Sequence, residues 1–103
     1  YVEYDAFTVP RSSLDSNNHV NNSQYIRMAE NYLPEGYPIR QLRAEYRKSA
    51  LLGDSIYPRL YRDGNRQIIS LADADGKPYS IIEFLDRIPE QSGQNGEDYD
   101  TVR

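Results

Sequence analysis

The sequence changes its apolar period once, and that change limits what the chain can fold into. Tyr25, Met28, Ala29, Tyr32 and Leu33 fall at i, i+3, i+4, i+7 and i+8, one stripe of helical period. Ser23, Gln24, Arg27, Glu30 and Asn31 fall on the other side. Asparagines ahead of the stripe offer side-chain caps, and Pro34, Gly36 and Pro38 stop it. The pattern predicts a helix over about 20–33. Beyond it the period is two. Leu42, Ala44, Tyr46, Ala50 and Leu52 share one face, and Arg43, Glu45, Arg47 and Ser49 share the other. That predicts a strand over 39–52, with a bulge at Lys48, which interrupts the apolar face.

Turn chemistry divides the rest. Gly53-Asp54 turns the chain, Asp63-Gly64-Asn65 and Asp75-Gly76-Lys77 are hairpin signals, and strands are expected over 55–62, 66–74 and 79–85. Residues 1–9 read as a strand ended by Pro10, and 11–18 as a polar loop. The expected order is strand, helix, then four antiparallel strands in meander-like succession. One amphipathic helix and one half-apolar sheet each need a partner to bury against. The expectation is therefore an α+β domain over residues 1–88, with the helix lying across a curled sheet. From Pro89 the chain has almost nothing to bury, and 89–103 reads as a flexible tail.

Composition narrows the chemistry. With no cysteine among 103 residues, disulfides, thiolate metal sites and a cysteine nucleophile are excluded. A formal charge of -4 argues against nucleic acid as a partner. No apolar run approaches the roughly 20 residues that span a bilayer, so no membrane partner is expected. The chain opens at Tyr1 without an initiator methionine, which suggests the C-terminal piece of something longer.

Asp15, Asn17 and His19 are the candidate site residues. His19 is the only histidine, and a polar run containing all three feeds straight into the helix. A histidine exchanges a proton near neutral pH, and a carboxylate can orient it, act as a base or attack directly. An amide can hold a water or a carbonyl oxygen. The helix start would point N–H groups and a positive dipole end at this loop. The same residues also suit an ordinary capped turn, with Asp15 and Asn17 in Asx turns and His19 packed under the helix. Residues i, i+2 and i+4 of a loop have no fixed geometry, so spacing alone favours the capped turn. Calcium is rejected, because Val20 and Ile26 occupy the glycine and glutamate positions of a calcium loop. One histidine without cysteine makes zinc improbable, and no metal or cofactor is expected.

Asp15-Ser16-Asn17-Asn18-His19-Val20-Asn21-Asn22, followed by Tyr25-Ile26 and Glu30, resembles the D-x-N-x-H-V-N-N-x-x-Y motif of the acyl-acyl-carrier-protein thioesterases, the plant plastid enzymes and their bacterial relatives. Glu45-Tyr46-Arg47-Lys48 is similar to that family's E-Y-R-[RK] strand. The resemblance covers roughly 7–56. It implies the hotdog fold, an antiparallel sheet wrapped around one long helix, and it matches the C-terminal half of a tandem pair. It implies a hydrolase of fatty acyl-acyl carrier protein, with Asp15 as base or nucleophile, His19 sharing the proton work and Asn17 holding the carbonyl or a water. The partners it implies are acyl carrier protein and a second hotdog domain, in the same chain or as a homodimer. A bacterial cytoplasm is expected rather than a plastid.

Two departures stand out. The plant enzymes carry Glu-Cys just after the E-Y-R-[RK] run, where this chain has Ser49-Ala50, and Met28 stands where a tryptophan is common. The first leaves a non-catalytic acyl-binding or interaction domain as one alternative. A stand-alone hotdog dimer acting on acyl-coenzyme A is another. Arg40, Arg43, Arg47 and Lys48 would suit an acidic carrier protein, against the simpler reading of a solvated strand face balanced by Glu45.

Overall fold

The computed structural model describes residues 1–87 and 100–101. Its strands are β1 (Val2–Glu3), β2 (Phe7–Thr8), β3 (Gln41–Tyr46), β4 (Ser55–Asp63), β5 (Arg66–Ala72), β6 (Pro78–Leu85) and β7 (Asp100–Thr101). The single α-helix, α1, is Asn22–Glu30, and a 3-10 turn covers Arg11–Ser13. All pairings are antiparallel, in the order β1-β4-β5-β6-β3-β7, with β2 also on β4. Helix α1 packs across β5 and β6. This is the expected α+β arrangement.

The core lies between helix and sheet. Tyr25, Met28 and Ala29 of α1 are buried, as the stripe predicts. They meet Leu60, Ile69, Leu71, Ile82 and Phe84, which the ladder registers set on one face. Ile82 has Ala44 and Ile69 as cross-strand neighbours and no exposed surface. Ile82→Ala is expected to destabilise the protein by about 2–5 kcal/mol, through lost burial and the cavity left behind. A urea unfolding curve checks this; a change under about 0.5 kcal/mol, the size usual at the surface, would contradict the packing.

Helix α1 is shorter than its apolar stripe. Val20 is bridged to Leu14 in extended backbone, so the helix starts only after the Asn21 cap. At the other end the Tyr32 and Leu33 N–H groups bond three residues back, to the Ala29 and Glu30 carbonyls, and Pro34 follows. Tyr32 and Leu33 thus extend the apolar stripe in a tightened last turn.

The sheet departs from a meander at β3, which pairs with β6 rather than β4. Among the named strands of the described residues, β4, β5 and β6 are joined by hairpins. Gly64 enters the first of these at φ 64° and Asn65 is not at positive φ, the form with glycine at the first central position. Strand β3 also ends earlier than 52. The N–H groups of Arg47 and Lys48 both point at the Tyr79 carbonyl, at 2.8 and 3.3 Å, which is the bulge expected at Lys48. Past it the period-two face is lost: Ala50 is buried but Leu52 is 48% exposed.

Residues 1–9 are two strands with a slip between them. Val2 sits opposite Leu60, but Phe7 sits opposite Ile56, so one extra residue is inserted. Asp5 and Ala6 are both exposed there, while Tyr4, Phe7 and Val9 pack on the core. A rung with one bond missing adjoins the slip. The Tyr4 N–H reaches the Pro58 carbonyl at 3.0 Å, but Pro58 has no N–H to return. The inserted residue falls at the next step, where Asp5 and Ala6 together stand opposite Tyr57, between the Tyr4–Pro58 and Phe7–Ile56 pairs. In the stretch read as a tail, Asp100–Thr101 instead forms a strand against Gln41 and Leu42; the rest of 89–103 lies outside the described residues.

Candidate active site

The loop before α1 is a tight hairpin, which the spacing did not reveal. Leu14 and Val20 form an antiparallel bridge. The Asp15 N–H donates to the His19 carbonyl at 2.9 Å, and the Asn18 N–H to the Asp15 carbonyl at 3.0 Å. Asn18 has φ 64°. This is a three-residue hairpin loop, a turn followed by one left-handed residue that re-enters the ladder as a bulge. Asparagine adopts that conformation more readily than most side-chain-bearing residues. The consequence is that Asp15 and His19 stand opposite each other across the ribbon. The i, i+4 spacing thereby gains a geometry.

Asp15 has a backbone duty as well. Its Oδ1 accepts the Asn17 N–H at 2.9 Å and the His19 N–H at 3.1 Å. This is the Asx turn of the plainer reading. Those two bonds, His19's first, hold its carboxyl below the usual carboxylate range, and the nearby imidazole adds to the effect. Asp15 is therefore a firm anion and a reluctant proton acceptor. His19 does not pack under the helix. Asp15, Asn17 and His19 are all exposed, and among the described residues the His19 ring and the Asn17 side-chain amide make no hydrogen bond.

The helix start contributes less than expected. Asn21 Oδ1 takes the Ser23 N–H at 2.9 Å, and the Gln24 N–H bonds the Asn21 carbonyl at 2.9 Å. Two of the first donors are thus spent on the cap, while the positive end of the helix dipole still faces the hairpin.

The Ser49-Ala50 position is brought to the site. Leu51 bridges His19, and the Ala50 carbonyl accepts the Val20 N–H at 3.0 Å. Position 49 itself is a serine, where the plant enzymes that the motif resembles carry a glutamate. Asp54 lies in the same segment, but its Oδ2 holds the Leu51 N–H at 2.9 Å. Of the basic residues, Arg47 pairs with Glu45 at 2.8 Å and Lys48 with Asp73, so these two match the plainer reading. Met28 lines a groove of about 410 Å³ with Phe7, Thr8, Gln24 and Tyr32; none of Asp15, Asn17 and His19 lines it.

Tyr25 is core, as its place in the apolar stripe predicts, but its hydroxyl does more. It accepts the buried Ala50 N–H at 2.8 Å. Burial pushes the phenol's pKa up, so it stays protonated. The available signal was a tyrosine, not a phenylalanine, in the middle of an apolar stripe: a buried phenol requires a polar partner. No described helix is long and apolar enough to cross a membrane, and no three potential metal ligands are gathered among the described residues.

Known structures share this architecture. One is an acyl-ACP thioesterase from Bacteroides thetaiotaomicron, at TM-score 0.71 and 19% identity, covering 79% of this chain and 35% of that one. Another is a hypothetical protein from Staphylococcus aureus in complex with CoA, at TM-score 0.68 and 23% identity, covering 81% of this chain and 75% of that one. The chain thus spans about a third of the first and three quarters of the second. Both likenesses place it in the hotdog fold. No curated protein sequence matches it. Residues 2–95 match the family described as acyl-ACP thioesterase C-terminal domain. With nearly the whole described fold inside that match, the chain belongs to the acyl-ACP thioesterase C-terminal domain family.

Proposed function

We propose that this chain is the part of a thioester hydrolase that carries the reacting groups, and that its substrate is a fatty acyl group on acyl carrier protein. The observation that carries the reading is the hairpin, which sets Asp15 opposite His19 at the mouth of α1. Family membership supports the reaction class.

The assignment of roles follows from residue type and from the hydrogen bonds that Asp15 already makes. Histidine is the side chain suited by type to exchange a proton, and Asp15, whose oxygen is engaged by two backbone N–H groups, is assigned as its anionic partner. His19 takes a proton from water as the water oxygen attacks the thioester carbonyl carbon. The Asn17 amide donates to the carbonyl oxygen as it gains charge. Asp15 stabilises the imidazolium. The carbon–sulfur bond then breaks, His19 returns its proton to the departing sulfur, and a fatty acid and a thiol are left.

The test is a thiol-release assay on the intact protein with one acyl chain presented on acyl carrier protein and on coenzyme A. Release at least tenfold faster from the carrier protein is the expected result. A preference for coenzyme A would favour the second reading, which the CoA complex of the Staphylococcus aureus structure motivates. Binding of acyl carrier protein with no thiol released from either substrate would leave the non-catalytic reading, to which the missing acid at Ser49 points.

A further inference from the structure

We propose that Tyr25 is a positioning residue, whose hydroxyl fixes the angle between helix α1 and the hairpin that carries Asp15 and His19. The argument rests on Ala50, because both of its backbone groups are committed to the same short stretch of chain. Its carbonyl accepts the Val20 N–H at 3.0 Å, just ahead of the helix. Its N–H donates to the Tyr25 hydroxyl at 2.8 Å, inside the helix. The chain from Val20 to Tyr25 therefore leaves Ala50 and returns to it, closing a small ring around the start of α1.

Neither contact alone would set that angle. The Val20 contact, with the bridge from His19 to Leu51, ties the hairpin to residues 50–51. The Tyr25 contact ties the helix to the same residues. On the far side, Asp54 Oδ2 holds the Leu51 N–H, so the anchor is itself braced. The Tyr25 ring also lies 6.1 Å from that of Tyr46, at the near end of this segment. Ala50 is wholly buried, and so is Tyr25 apart from 1% of its surface. Water cannot readily replace a hydroxyl lost there. A phenylalanine would fill the volume and leave the Ala50 N–H unpaired.

The inference rests on the thioesterase reading for its effect on rate, but not for its effect on structure. Tyr25→Phe in the intact protein is the test. Hydrogen exchange at the Ala50 and Val20 amides is expected to speed up by roughly tenfold or more, the scale of a buried amide left unsatisfied. The His19 ring resonances should shift at fixed pH. With acyl carrier protein thioester, kcat should fall roughly tenfold or more while KM stays within about twofold, as when geometry at the reacting groups is lost and substrate binding is kept. Unchanged Val20 exchange and unchanged His19 resonances would overturn the proposal, as would an altered hairpin with unchanged kcat. If the wild type released no thiol, the thioesterase reading would fall, and exchange and His19 resonances would still decide the positioning role. Should the variant not fold, the wild-type Ala50 amide decides: protection equal to that of β6 supports the contact, and exchange at loop rates overturns it.

Discussion

Replacing His19 by alanine in the intact protein is expected to reduce thioester hydrolysis by about a thousandfold or more, with the fold unchanged. The fold should survive because everything His19 gives it is backbone. Its carbonyl accepts the Asp15 N–H and its N–H binds Asp15 Oδ1, and alanine keeps both. The ring is exposed and makes no hydrogen bond among the described residues, so its loss should alter stability by no more than about 0.5 kcal/mol. Turnover has no such reserve. This is the chain's only histidine, and Asp15 is too weak a base to take over at neutral pH. Steady-state rates and a melting curve on the same sample check both halves. Undiminished turnover would remove His19 from the reaction.

Asp15→Asn separates two duties that one side chain performs. Asparagine presents the same kind of oxygen to the Asn17 and His19 N–H groups, so the hairpin should persist. What is lost is the negative charge beside the imidazole. The expected loss in kcat is roughly several-hundred-fold or more, as when a catalytic imidazole loses the carboxylate beside it. An unchanged rate would reduce Asp15 to the cap of a turn. The pH dependence carries the same sign. The folded-state pKa of Asp15 lies below its ordinary value of 3.8, so its ionised form favours the native state fully above that value. That contribution is lost as pH falls through the lower, folded-state value. Acid titration of stability should therefore show a limb below about 3.8 in the wild type that is reduced in Asp15→Asn.

Features written within one element were legible in the sequence. The stripe from Tyr25 to Leu33 marks α1 and its buried face, and the two glycine turns mark the hairpins of β4, β5 and β6. Features that depend on two distant segments were not. Nothing in 39–52 says that β3 closes on β6, because the pairing joins two segments about 40 residues apart. The site shows the same division. Asp15, Asn17 and His19 stood out by residue type, but their arrangement comes from Asn18 at φ 64° and from the bridge of Leu14 to Val20. Neither is visible as periodicity. Two adjacent asparagines were the local hint of a left-handed residue. The Tyr25 hydroxyl was hidden because a stripe records which side chains are inside, not whom their polar tips meet.

Pro58 has a consequence for how the amino-terminal strand finds its alignment. Two conceivable pairings of residues 1–9 with β4 differ by a single step. In the straight one Ala6 would face Ile56, and Phe7 and Val9 would turn to solvent. In the one adopted, Phe7 takes that place. A one-step slip of this kind exchanges the two faces of a strand. At most rungs, inserting a residue would break a good donor–acceptor pair. The insertion here sits opposite Tyr57, one step past the Pro58 rung, which lacks a return donor. The slip thus adjoins a rung that proline leaves with a single bond, and the frame beyond it brings Phe7 and Val9 inside.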